Sequence, residues 1–79
     1  MEVKIKYLGL LVDHTGLESE LIKISGENTV FGLQEIIKKK YRQLSGVHFR
    51  VAVNLKLADD SVIISEGDEI ALLPAFAGG

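Results

Sequence analysis

One stretch of helical spacing lies between segments of period two, and that order leaves few folds open. Val30, Leu33, Ile37, Tyr41 and Leu44 recur at three- and four-residue intervals, with Ile36 beside them. This is the pattern of a helix with one apolar face. Ahead of it, Val3, Ile5 and Tyr7 alternate with Glu2, Lys4 and Lys6, the pattern of a strand buried on one face. A second strand is predicted near Glu20 to Ile24, with Ile22 and Ile24 facing the same way. Beyond the helix, Phe49, Val51 and Val53 alternate with Arg50, Ala52 and Asn54, and Val62-Ile63-Ile64 reads as a short strand. Glu69 to Leu73 is apolar enough to be buried on both faces, which places it centrally. Seventy-nine residues leave room for one domain. The expected class is α+β: a mixed four- to five-stranded sheet, one main helix packed across it, and the last strand beside the first.

The punctuation agrees. Gly9 to Gly16, Ser25 to Asn28, Asp59-Asp60-Ser61 and Ser65 to Asp68 carry turn and loop residues. Asn54 marks a turn or a change of direction. Either Asn28 or Thr29 can cap the helix by accepting from a free first-turn amide. Lys38, Lys39, Lys40 and Arg42 suit its carbonyl end. Ser45-Gly46 is the expected stop, about four turns on. Gly32 inside the helix costs about 1 kcal/mol relative to Ala, which points to close packing there.

Most catalytic classes find no support. The chain has no cysteine, hence no disulfide, thiolate metal site or cysteine nucleophile. Its two histidines, His14 and His48, sit in no metal-ligand spacing, and Asp13 beside His14 makes no dyad. Asp59-Asp60 is explained by turn formation more simply than by acid–base chemistry. No phosphate-cradling glycine pattern is present, and neither a metal nor a resident cofactor is expected. A net charge of −2 with a single basic cluster argues against nucleic acid. No apolar run approaches the roughly 20 residues of a membrane span. The N-terminus alternates charged and apolar residues rather than forming an apolar leader, so a cytoplasmic protein is expected. No Lys or Arg follows Lys56, while Asp59, Asp60, Glu66, Asp68 and Glu69 do. Such an end either steers onto a basic partner or is a set of solvated turns.

The end of the chain is the informative part. A central strand runs into Pro74-Ala75-Phe76-Ala77-Gly78-Gly79. Proline cannot continue a ladder, which predicts a domain over residues 1–73 and a tail over 74–79. Six extended residues reach at most about 20 Å, and two terminal glycines can enter a channel too narrow for any side chain. Terminal glycines also occur simply as disordered ends, and spacing alone leaves both readings open. Phe76 either folds back on the domain or anchors in a partner pocket. Leu73 and Tyr7 either extend that patch or pack in the core.

Three stretches resemble the MoaD/ThiS family of ubiquitin-like sulfur carriers. One is Thr29-Val30 at the helix entry, another is Val51-Ala52-Val53-Asn54, and the most specific is Glu66-Gly67-Asp68-Glu69-Ile70-Ala71-Leu72-Leu73-Pro74, running on to Gly78-Gly79. Leu72-Leu73-Pro74 is most similar to the molybdopterin synthase small-subunit branch. Three features depart from the family pattern: Glu66 stands where Asp is common, Ala75 stands where a second proline is frequent, and Leu10 to Gly16 lacks the usual arginine.

The resemblance implies a β-grasp fold. It implies that Gly79 is adenylated by a MoeB-like, ubiquitin-activating-type adenylyltransferase using ATP, and then becomes a thiocarboxylate. In the molybdopterin branch that sulfur goes to cyclic pyranopterin monophosphate, within a heterotetramer whose MoaE-like large subunit holds the catalytic residues. Leu73, Pro74, Ala75, Phe76, Ala77 and Gly78 would then be partner-binding, with Tyr7 beside them. Related carriers serve thiazole, cysteine or tRNA thiolation, or are joined to lysines as protein modifiers.

Overall fold

The structure, a computed structural model, describes residues 1–26 and 28–75. The described elements run β1 (Glu2–Tyr7), α1 (Leu10–Thr15), β2 (Ser19–Lys23), α2 (Val30–Lys40), a 3-10 turn (Arg42–Gly46), β3 (Phe49–Val53), β4 (Lys56–Ala58) and β5 (Glu69–Pro74). The sheet order is β2-β1-β5-β3-β4. β5 is central, parallel to β1 and antiparallel to β3. The expected mixed sheet with one main helix is therefore what the chain forms.

Parity decides the two faces. Val3, Ile5 and Tyr7 of β1, Ile22 of β2, Val51 of β3 and Ile70 and Leu72 of β5 are buried with Val30, Leu33 and Ile37 of α2. Fully burying side chains of this size is worth about 1.5–3 kcal/mol each. Truncating Ile37, which is 0% exposed, to alanine would cost about 2–5 kcal/mol.

Thr29, rather than Asn28, caps α2: its Oγ1 accepts from the Gly32 N–H at 3.1 Å. Asn28 is used differently, its side chain donating to the Ile64 carbonyl at 3.2 Å.

Four sequence expectations need correction. The helix stops at Lys40, short of Ser45-Gly46, because Tyr41 turns extended at φ −122° and ψ 90°. The apolar series continues on the tighter 3-10 turn, where three-residue spacing still buries Leu44. The Gly9–Gly16 loop contains α1, which carries Leu11 into the core. Val62 to Ile64 forms no strand; Ile63 makes a lone bridge to Thr29 while Ile64 is buried. The missing strand is β4, in a segment where only a turn at Asn54 was foreseen.

The fourth correction concerns Pro74, which stays in the ladder opposite Phe49, and Ala75 N–H still donates to the His48 carbonyl at 3.2 Å. Alternation explains this. Leu72 directs its carbonyl toward β1, where Leu8 N–H donates to it at 3.0 Å. Pro74, two residues on, also turns its nitrogen to that side, but β1 has ended at Tyr7. The proline ring thus replaces an N–H that would have no partner.

Candidate functional site

The outer face of the sheet, opposite α2, is shaped by small residues. Registers align Leu57 with Ala52, Ala52 with Ala71, and Ala71 with Lys6 across β4, β3, β5 and β1. Ala52 and Ala71 form a shallow floor. Leu8, Leu55, Leu57 and Leu73 stand around it, enclosing a groove of about 370 Å³ with Lys6 and Glu69 at its rim. Leu55 is 92% exposed, Leu57 56% and Leu8 42%. A contiguous apolar patch of this kind marks an interaction surface more often than scattered leucines do.

The hairpin at the groove's rim has an unusual backbone. β3 and β4 are joined by two residues, Asn54 and Leu55, with φ of 51° and 70°. Positive φ at both positions is the type I′ pattern, which suits asparagine and glycine. Leucine in this region costs about 1–3 kcal/mol. Asn54 also ties the hairpin to the turn before β5. Its side chain donates to Asp68 Oδ1 at 3.0 Å and accepts from Glu69 N–H at 2.9 Å. Asp68 Oδ2 accepts from Ser65 N–H at 2.7 Å. These bonds, that from Ser65 first, hold the Asp68 carboxyl below its ordinary range. Asp68 is thus engaged within the fold, while Glu66 is exposed and Glu69 lines the groove.

The end of β5 lies beside this groove. Leu73 forms part of its wall, and Pro74 and Ala75 follow, half-buried. Gly9, at φ 57°, lies against the Pro74 ring; a Cβ built there would sit 3.0 Å from Pro74 Cγ. Phe76, Ala77, Gly78 and Gly79 lie outside the described residues. Tyr7 does not belong to the surface: it is 2% exposed. Of the two readings open for Tyr7, core packing is the one the fold supports, because its parity directs it under α2.

Under α2, Glu20 accepts from the Tyr7 hydroxyl at 2.6 Å, the Tyr41 hydroxyl at 2.5 Å and Lys40 Nζ at 2.5 Å. Burial alone would raise the Glu20 pKa, but bonds from Lys40, Tyr41 and Tyr7 outweigh it and the net shift is downward. Burial and then Glu20 push Tyr41 up to about 12 and raise Tyr7 further. The cluster braces β1, β2 and α2. Its four side chains satisfy one another, an arrangement that serves the fold.

The other polar candidates are also committed. Asp59 Oδ1 accepts from Ser61 N–H and Oγ, and Asp60 accepts from Gln34 at 3.2 Å. Both border a more open hollow of about 610 Å³ between α2, β3 and β4; Asp59 is used in its turn and Asp60 by Gln34, so it is a surface depression rather than a reactive site. His14 Nδ1 lies 3.2 Å from the Gln43 amide oxygen. Among the described residues, no three His, Asp or Glu side chains could hold a metal ion, and no helix is long and apolar enough to cross a membrane.

The groove was legible only in part. Ala52 and Leu73 lay in readable strands, but Leu8, Leu55 and Leu57 were not singled out. The Leu55-Lys56-Leu57-Ala58 alternation directly after Asn54 was the available signal.

The ThiS family profile matches residues 5–79, which is nearly the whole chain, its last glycine included. This chain belongs to the ThiS family. The human molybdopterin synthase sulfur carrier subunit is 26% identical over 83 residues, spanning 99% of this chain and 94% of that protein. The "Putative molybdopterin converting factor, subunit 1" of Pyrococcus furiosus superposes with a TM-score of 0.89 at 22% identity, covering 96% of this chain and 99% of that one. A chain of the "Protein-protein complex of subunit 1 and 2 of Molybdopterin-converting factor" from Helicobacter pylori 26695 superposes with a TM-score of 0.70 at 29% identity, over the full length of both. The ubiquitin-like β-grasp architecture and the MoaD/ThiS kinship are therefore established, and the chain is a sulfur carrier of that family.

Proposed function

We propose that this chain is the sulfur-carrying small subunit of a molybdopterin synthase, with Gly79 as the group that reacts. The family match running through Gly79 is the observation that carries the reading, and the kinship to molybdopterin synthase carriers supports it.

The chemistry begins with a poor electrophile. A terminal carboxylate, of ordinary pKa about 3.3–3.7, is ionised at neutral pH. A partner adenylyltransferase, using ATP, joins the Gly79 carboxylate oxygen to the α-phosphorus and releases pyrophosphate. A sulfur nucleophile then attacks the Gly79 carbonyl carbon; the C–S bond forms as the C–O bond to AMP breaks. The thiocarboxylate sulfur bonds to a carbon of cyclic pyranopterin monophosphate as an oxygen leaves that carbon; water then cleaves the Gly79 acyl C–S bond, leaving the sulfur on the pterin and restoring the carboxylate. Two sulfurs require two loaded chains, which accords with a heterotetramer built on a large-subunit dimer. This chain provides the carried group, the thread and the docking surface, and the acid–base groups belong to the large subunit.

The test is the intact mass of the chain after incubation with its host's adenylyltransferase, ATP and a sulfide source. The expected result is one oxygen replaced by sulfur at Gly79, lost when Gly79 is deleted. No change, with an enzyme competent on another carrier, overturns the reading. Isopeptide conjugates to lysine without sulfur transfer to the pterin would move the chain to the modifier class.

A further inference from the structure

We propose that Leu55 is the anchor by which this chain docks on the second subunit of its synthase, an inference that rests on the function proposed above. Leu55 occupies the second position of a two-residue hairpin at φ 70°. A Cβ-bearing, γ-branched side chain is disfavoured there, where glycine or asparagine would sit without strain. At 92% exposure, the side chain gains almost nothing inside this chain to offset that strain. Its neighbour Asn54 is different, because it also has positive φ but its side chain holds Asp68 and Glu69. Backbone strain that does nothing for the fold is characteristic of recognition sites.

The position of Leu55 identifies the occupant. The groove it borders ends at Leu73, directly before Pro74 and Ala75, where the chain leaves the sheet. Gly79 lies four residues beyond Ala75, and four extended residues span at most about 14 Å. A protein that takes Gly79 into an enclosed active site must therefore press against the surface around Leu73, which is this groove. The second subunit is assigned as that protein because a relative of this chain is seen in a complex of subunits 1 and 2. The matching surface is apolar, with a pocket for one leucine; an exposed side chain filling such a pocket is the usual form of an interface anchor.

The test measures stability and binding on the same full-length variants. Leu55→Asn relieves the strain and removes the apolar group, whereas Leu55→Met keeps an apolar group of similar size. The host's large subunit is titrated with each by calorimetry, and each free chain is unfolded thermally. The expected result is that Leu55→Asn melts no lower than the parent yet binds about tenfold more weakly or worse, while Leu55→Met binds within about threefold. Unchanged binding by Leu55→Asn overturns the proposal. So does a lower melting point in Leu55→Asn, since the leucine would then serve the fold. If the parent chain acquires sulfur at Gly79 but does not bind the large subunit, the occupant is wrong and the carrier chemistry stands. Absence of sulfur at Gly79 is instead the failure of the functional reading itself.

Discussion

The side-chain amide of Asn54 donates to Oδ1 of Asp68 across 14 residues of sequence, at 3.0 Å. With the bond from Glu69 N–H to Asn54 Oδ1 at 2.9 Å, it fastens the β3–β4 hairpin to the start of the central strand. The hairpin carries Leu55 and Leu57, and the central strand carries Leu73 and the tail. One asparagine thus sets the spacing between two walls of the groove.

Asn54→Ala removes both bonds and places a Cβ without compensation at φ 51°. The expected loss is about 1–3 kcal/mol. Asn54→Gly, which keeps the backbone conformation, should lose less. Urea unfolding of the two variants checks the order.

Gly9 and Pro74 form a second fastening, between the start of α1 and the root of the tail. Gly9→Ala adds a Cβ at φ 57°, 3.0 Å from Pro74 Cγ. Stability should fall by about 1–3 kcal/mol. The Ala75 amide, now bonded to His48, should exchange with solvent faster than in the parent, as read by hydrogen exchange.

The Glu20 cluster predicts a stability plateau with two limbs. The folded Glu20 pKa lies below its reference of 4.5, so its contribution is complete above that value and is lost as pH falls through the lower folded value. Tyr41 is raised from 10.0 to about 12, so its contribution is complete below pH 10 and is lost as pH rises toward 12. Glu20→Gln should flatten the acid limb and weaken the alkaline one. Unfolding midpoints measured across pH distinguish this from a general charge effect, which added salt would screen.

Leu57 is 56% exposed on the outer face. Leu57→Asp should leave the melting temperature within a few degrees, because surface substitutions change little. On the proposed function, it should weaken binding to the large subunit by about tenfold or more. Unchanged affinity would place that protein elsewhere on the fold.

Much of this architecture was present in the pattern of residues. Val3-Ile5-Tyr7 against Glu2-Lys4-Lys6 specified a strand and its buried face, because a period of two admits no other assignment. Val30, Leu33 and Ile37 specified the helix, and the apolar run at Glu69–Leu73 specified the central strand. The terminal Gly-Gly and the turn at Asp68 carried the family. β4 was harder to see because three residues are too short for alternation to stand out. The helix end was misplaced because Tyr41 and Leu44 stay buried on a tighter turn that preserves the apolar series.

By itself, then, the sequence determined which residues face the core and which strand is central, and it carried the family's Gly78-Gly79 motif; periodicity and a short motif are local properties. Tertiary structure alone decided what surrounds Leu73 and Pro74. The groove draws Leu8, the Leu55–Leu57 hairpin and Leu73 from three separate segments, and the Glu20 cluster draws Tyr7, Lys40 and Tyr41 from positions up to 21 residues away. Pairing β5 between β1 and β3 brings those segments together, and no local spacing encodes a distance across strands.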